Sequence, residues 1–118
     1  MESSEKRTAA AHEAVDGIRA IEVVVETASL RIARLTLAPN GVVPWHWQST
    51  VSERFVCLEG EIEVETRAPR LRRQLLPGGE CAIAPKRAHT LRNLGAKPAR
   101  FVVIQDGGRY DLHFVGRR

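Results

Sequence analysis

Four polar residues interrupt otherwise apolar, strand-like segments of the 118-residue chain: His46, Gln48, Glu53 and His89. Two imidazoles, an amide oxygen and a carboxylate are a donor set that can surround one divalent transition-metal ion. In Val42-Val43-Pro44-Trp45-His46-Trp47-Gln48, the two-residue period of an extended strand puts His46 and Gln48 on one face. Trp45 and Trp47 then point the other way, where packing is the ordinary use of an indole. The short connection Ser49–Ser52 lets Glu53 return from the next strand toward the same point, and His89 opens a later strand beyond Pro85. The same residues admit plainer readings. Both histidines can be hydrogen-bonded core residues, Gln48 can bond a neighbour, and Glu53 with His89 can serve as catalytic acid and base without a metal. Glu53 cannot be buried alone, because an unpaired interior charge costs several kcal/mol or titrates away. A metal, an imidazolium or an arginine such as Arg54 or Arg87 must compensate it.

The segments that carry these residues are short, β-rich and separated by turn residues every eight to twelve positions, the spacing of an all-β sandwich or barrel. Strands are expected at 21–26, 29–37, 42–48, 53–59, 61–66, 80–85, 89–93, 99–105 and 110–115. Pro39-Asn40-Gly41, Glu59-Gly60, Pro77-Gly78-Gly79, the 95–98 segment and Gly107-Gly108 supply the turns. No long helical pattern lies between strands, which argues against a parallel α/β sheet. Glu61, Glu63 and Glu65 alternate with Ile62 and Val64 as in a half-solvated antiparallel strand, and Arg67, Arg70, Arg72 and Arg73 are placed to meet them across a hairpin. Residues 54–58 are apolar on both faces after Arg54, which predicts a central strand or one covered by a partner subunit. Phe55 and Cys57 share the parity of Glu53 and are expected to line the same cavity. Residues 1–18 read as a flexible arm or short helix, and 19–118 as one domain.

The spacing Gly41-(x)4-His46-x-Gln48-(x)4-Glu53-(x)6-Gly60 resembles the first motif of the cupins, G(X)5HXH(X)3,4E(X)6G. Gly79-(x)5-Pro85-(x)3-His89-(x)3-Asn93 resembles the second, G(X)5PXG(X)2H(X)3N, and 18 residues separate the two, as in small single-domain bacterial cupins. The resemblance implies a double-sheet jelly-roll β-barrel. It also implies a metal held inside by the motif histidines and glutamate, which here fall on His46, Gln48, Glu53 and His89. Three departures stand out: the first Gly-to-His gap is one residue short, the motif-two glycine is missing around Lys86-Arg87, and glutamine replaces the second motif-one histidine. Gln48 is a weaker ligand than imidazole for late transition metals, so the resemblance implies either reduced affinity or three protein ligands with open positions. Two histidines and a carboxylate with open positions are what non-haem iron oxygenases use. The expected function is a metal-dependent enzyme acting on a small organic molecule, a dioxygenase before an isomerase or lyase. Fe, Mn, Ni or Zn is the expected cofactor, with Glu53 and His89 nearest the chemistry. A non-catalytic ligand-binding or sensor protein is the alternative, and a homodimer the expected assembly.

Composition removes other classes. With 43% hydrophobic and 27% charged residues the chain is neither disordered nor fibrous. The net charge of +4 conceals a split, −5 over residues 1–66 and +9 over 67–118, so it does not by itself mark a nucleic-acid binder. No segment has the roughly 18 apolar residues of a membrane helix, and the polar first residues lack the apolar stretch of a secretory signal, so a cytoplasmic protein is expected. Cys57 and Cys81 have neither zinc-knuckle nor redox spacing and read as buried thiols, with a disulfide left open. Arg87 and Arg92 flank the second motif and read as surface residues ahead of an anion-binding role. His12 and His113 are given no role.

Overall fold

Alternation along each segment sorts its residues onto a buried and a solvated face, and that sorting accounts for most of the architecture. The computed structural model of the protein describes residues 17–116. In chain order the strands are β1 (Ile18–Glu26), β2 (Leu30–Leu37), β3 (Val42–Gln48), β4 (Ser52–Glu59), β5 (Ile62–Thr66), β6 (Leu71–Leu75), β7 (Glu80–Ile83), β8 (His89–Arg92), β9 (Ala99–Asp106) and β10 (Leu112–Phe114). They form two antiparallel five-stranded sheets, ordered β1-β2-β9-β4-β7 and β10-β3-β8-β5-β6. This is the expected all-β jelly roll. Both sheets mix strands from the acidic first half with strands from the basic second half, so the charge split does not become two poles. Of the expected arm, residues 1–16 lie outside the described residues, as does His12, while Ile18 already belongs to β1.

The core lies between the sheets. Ala33, Leu37, Phe55, Cys57, Phe101 and Val103 face inward from one sheet, and Ile62, Val64, Leu75 and Leu91 from the other. Pairing places these inward residues in rungs across the first sheet. Ala33 lies opposite Val103 and Val103 opposite Phe55, and one rung further Leu35, Phe101 and Cys57 align. The next rung toward the other end is polar: Arg31, Gln105 and Glu53. Each apolar side chain fully buried here contributes about 1.5–3 kcal/mol.

Strand β4 is an interior strand of its sheet, as expected, and on its outward face, among the described residues, Val56 is half-buried and Leu58 is 45% exposed. Strand β6 lies outside the expected strands. Its first four residues are exposed and it lacks an alternating pattern, so only pairing with β5 reveals it. The Glu61–Glu65 face is neutralised as expected but with other partners as well. Glu65 meets Arg70, Arg72 and Arg92, Glu63 meets Arg92, and Gln74 donates to Glu61. Arg67 instead lies over the Trp45 ring, 4.3 Å from its centroid.

Glycine is required where backbones cross. A Cβ at Gly41 would lie 2.7 Å from the Gly17 carbonyl oxygen, and one at Gly17 would lie 2.4 Å from the Gly41 Cα. The motif-one glycine is therefore a contact between the residues that lead into β3 and those that lead into β1.

Candidate functional site

Strands β3 and β8 bring the two histidines together because His46 and His89 are directly opposed in the ladder, their ring centroids 4.2 Å apart. The carboxylate comes from the facing sheet, at the start of β4. Trp45 and Trp47 point outward as expected, and Trp47 stacks on His113 at 4.2 Å. His46, Gln48, Glu53 and His89 are all buried. One nitrogen from each histidine and one Glu53 oxygen lie within 4.8 Å of one another, a spacing that can hold a metal ion.

Backbone carbonyls set the histidine tautomers. The His46 Nδ1 lies 2.8 Å from the Pro44 oxygen and the His89 Nδ1 lies 2.9 Å from the Arg87 oxygen. A carbonyl can only accept, so each Nδ1 carries a proton and each Nε2 is the atom turned toward the cluster. Such outer hydrogen bonds are what orient metal-binding imidazoles. Glu53 Oε1 and His89 Nε2 approach to 2.8 Å, yet both are buried without an aligned hydrogen-bond partner. A divalent ion bound beside both atoms, with His46 as a third donor, would satisfy them, and the donor set matches that fit.

Electrostatics agree. Burial, then the neighbouring His89, pushes the His46 pKa down to about 4, so its ring is neutral at neutral pH. Burial pushes the Glu53 carboxyl up, but His89, Gln105 and His46 together outweigh it and hold Glu53 below its usual range. The other carboxylate oxygen is saturated from the side, because Gln105 Nε2 donates to Oε2 at 2.7 Å and Gln48 Nε2 donates to it at 3.3 Å. Gln48 Oε1 accepts the Asp111 backbone N–H at 3.1 Å. The Gln48 amide thus turns its N–H, and not its carbonyl, toward the cluster.

His46, Gln48 and Glu53 form the polar end of a cavity of about 200 Å3 between the sheets, with His89 buried outside its lining, and the rest of the wall is mainly aliphatic and aromatic. Phe55 lines it as expected, whereas Cys57 lies fully buried beyond the lining. Both cysteines are free thiols, so the disulfide left open is not formed. Arg87 donates to Thr66 Oγ1 and to the Pro69 oxygen, and Arg92 pairs with Glu63 and Glu65, so both are occupied outside the cavity. Arg31, Gln105 and Tyr110 line the cavity and belong to no motif in the sequence. The signal was present for two of them: Gln105 shares parity with buried Phe101 and Val103, and Arg31 with Ala33, Leu35 and Leu37. Lys86, near the missing motif-two glycine, has φ 68°.

No curated protein matches the chain in sequence. Among solved structures it is similar to an oxalate oxidase, with a TM-score of 0.75 and 22% identity over 85% of this chain and 56% of that one. It therefore spans little more than half the length of that protein. A double-stranded β-helix protein from Klebsiella pneumoniae gives a TM-score of 0.71 at 20% identity over 80% and 82% of the two chains. KdgF from Halomonas sp. gives 0.69 at 19% identity over 79% and 81%. At these identities the likeness speaks for the fold. Residues 33–105, which include both motifs, match the family model of the cupin domain, and with the jelly roll and the inward histidines this shows that the chain belongs to the cupins.

Proposed function

We propose that the protein is a metal-dependent cupin that acts on a small organic molecule in the cavity between its sheets, with dioxygenase-type chemistry. His46, Glu53 and His89 would hold a divalent Fe, Mn, Ni or Zn ion. The observation that carries this reading is the convergence of two Nε2 atoms, each oriented by a backbone carbonyl on its Nδ1, on a buried carboxylate oxygen. When bound, the ion would supply Lewis acidity toward a carbonyl or enolate oxygen and, as Fe(II), reactivity toward O2. The chain supplies the rest. Pro44 and Arg87 carbonyls orient the imidazoles, while Gln48 and Gln105 hold Glu53 by one oxygen and direct the other inward. The apolar wall excludes water around the ligand, and Gln48 is assigned to positioning Glu53 in its present amide orientation.

Elemental analysis of untagged protein tests the metal. We expect about one equivalent after reconstitution, lost on His46→Ala. Metal that stays substoichiometric, or is indifferent to His46→Ala, would sink the reading. Oxygen consumption with a panel of diketones and phenols then tests dioxygenase chemistry. The Gln48 orientation favours one second reading, a ligand-binding or sensor cupin, which predicts binding without turnover of any bound compound. We extend the proposal to a homodimer formed on the outer face of β4, where Leu58 is exposed; light scattering at micromolar concentration checks it.

A further inference from the structure

We propose that the ligand of this cavity is a small organic acid with an apolar body, and that Arg31 is the residue that binds its carboxylate. This deepens the proposed function and rests on it for the location of the site.

Arg31 is unusual first by its place in the strand. On β2 it shares the inward face with Ala33, Leu35 and Leu37, where an aliphatic residue would continue the core. It stands in the polar rung beside Gln105 and Glu53, and its side chain is only 19% exposed. A guanidinium there gives up much of its hydration and needs partners in return. Among the described residues it has one hydrogen bond, from Nη1 to Gln105 Oε1 at 3.0 Å. Its Nε lies 3.8 Å from Glu26, whose side chain is 42% exposed, so that ion pair is long and solvated and contributes little. Five N–H donors are thus far from used.

The surroundings hold the group in place for a ligand. The Tyr110 ring packs against the guanidinium, 4.6 Å from its centroid, and Gln105 fixes one edge. A planar fork fixed on one edge and one face offers its remaining N–H groups as a pair, the geometry that a carboxylate accepts. Arg31 is the one arginine or lysine lining the cavity among the described residues, and the Glu53 carboxylate in the same rung is held on its Oε2 by Gln105 and Gln48. At the open edge of the Arg31 fork an anion is therefore favoured over a cation. The rest of the wall, including Leu35, Val43, Phe55, Leu112 and Phe114, suits an alkyl or aryl body. A volume of about 200 Å3 is below the range of drug-sized pockets and limits that body to a ring or a short chain. Gln105 spans from Arg31 to Glu53, so a carboxylate on Arg31 sets the atoms next to it beside the cluster.

Calorimetric titration of the 118-residue chain with matched pairs, benzoate against benzamide and phenylacetate against phenylacetamide, tests this, with chelator-treated and Mn2+-supplemented protein run in parallel. We expect each acid to bind at least about tenfold more tightly than its amide in wild type, with and without Mn2+. Arg31→Gln should reduce the preference to within about twofold, and Arg31→Lys should keep part of it, because a point charge replaces a fork. The wild-type comparison stands even if a variant fails to fold. Equal binding of acid and amide, no binding of either acid, or a preference that survives Arg31→Gln would each overturn the proposal. A preference that appears only with Mn2+ and ignores Arg31→Gln overturns it while leaving the metal reading intact. Preference that depends on Arg31 in protein that binds no Mn2+, Fe2+, Ni2+ or Zn2+ supports it while the metal reading fails.

Discussion

Asn93, the last residue of the second motif, is expected to act on stability and not on chemistry. It is fully buried, and its Nδ2 donates to the carbonyls of Leu37 at 3.2 Å, Ala38 at 3.1 Å and Lys97 at 2.8 Å. Its Oδ1 accepts the Gly95 backbone N–H at 2.9 Å. One side chain thus ties the end of β2 to the 95–97 turn. Asn93→Ala removes all of this and leaves buried backbone groups without partners. Two amide hydrogens shared among three carbonyls count as about two bonds, the accepted bond makes about three, and each is worth about 1 kcal/mol with a further penalty for a group left unpaired. We expect a loss of about 3–5 kcal/mol, a large part of the stability of a domain this size. With a urea dependence of about 1–3 kcal/mol per molar, the unfolding midpoint should fall by roughly 2 M. Asn93→Asp keeps the bond from Gly95 but sets a carboxylate against three carbonyls, and should lose at least as much. Metal bound per folded molecule should be unchanged, since Asn93 lies beyond the far end of β8 from His89. A loss below about 1 kcal/mol for Asn93→Ala, or an Asn93→Asp variant as stable as wild type, would refute the reasoning.

Three further outcomes are expected. Lys86 holds a left-handed backbone with φ 68°, which costs a side-chain-bearing residue about 1–2 kcal/mol. Lys86→Gly should therefore stabilise by about 0.5–1 kcal/mol after glycine's greater unfolded-state entropy is counted, as read by thermal or urea unfolding. Glu65 is held below the usual carboxylate range, chiefly by its hydrogen bond from Arg92. A depressed carboxylate stabilises above its unfolded pKa, near 4.3, and loses that contribution as pH falls through the folded value. Wild type should thus exceed Glu65→Gln in stability at pH 7, and the gap should close in unfolding curves below about pH 4. Gln48→His restores an imidazole beside the cluster and should raise Ni2+ or Zn2+ affinity at least about tenfold in competition with a chromogenic chelator. Unchanged affinity would mean that position 48 does not face the ion.

What the sequence made legible followed from parity. Alternation from Trp45 to Gln48 sent His46 inward and both tryptophans outward, and the same rule put Phe55 in the cavity wall, whereas a register shift after Val43 turns that valine inward as well. It worked because those strands have one buried and one outer face. It was least informative for β6, whose exposed Leu71-Arg72-Arg73-Gln74 run has no apolar period and is set by pairing with β5. It also misplaced Cys57, which has the right parity but is fully buried behind a wall to which its rung neighbours Leu35 and Phe101 contribute. Parity gives the face, whereas depth along the barrel depends on inter-strand register. Register is also what made Arg31 and Gln105 hard to see, because residues 74 positions apart become neighbours only when β2 pairs with β9. The orientation of the Gln48 amide depends on the Asp111 N–H, a contact between distant segments that no local pattern encodes.

The crossing of Gly17 and Gly41 has a consequence for how such a protein can change over time. Gly41, Gly60, Gly79 and Asn93 all stand at one end of the barrel, where backbone hydrogen bonds join Gly41 to Ala38 and to Asn93, and Cys57 to Gly79. His46, Glu53, His89 and the Arg31 rung stand at the other. Each motif thus begins or ends in a fastening and carries its reactive groups half a strand away. Connections at the reactive end such as 27–29 can drift in length and composition without loosening the fastened end, whereas 84–88 and 107–111 also carry the Arg87 carbonyl and the Asp111 N–H that orient His89 and Gln48. New specificities are therefore accessible to this chain by loop exchange at one pole, while the opposite pole tolerates almost no side chain larger than hydrogen where Gly17 and Gly41 meet.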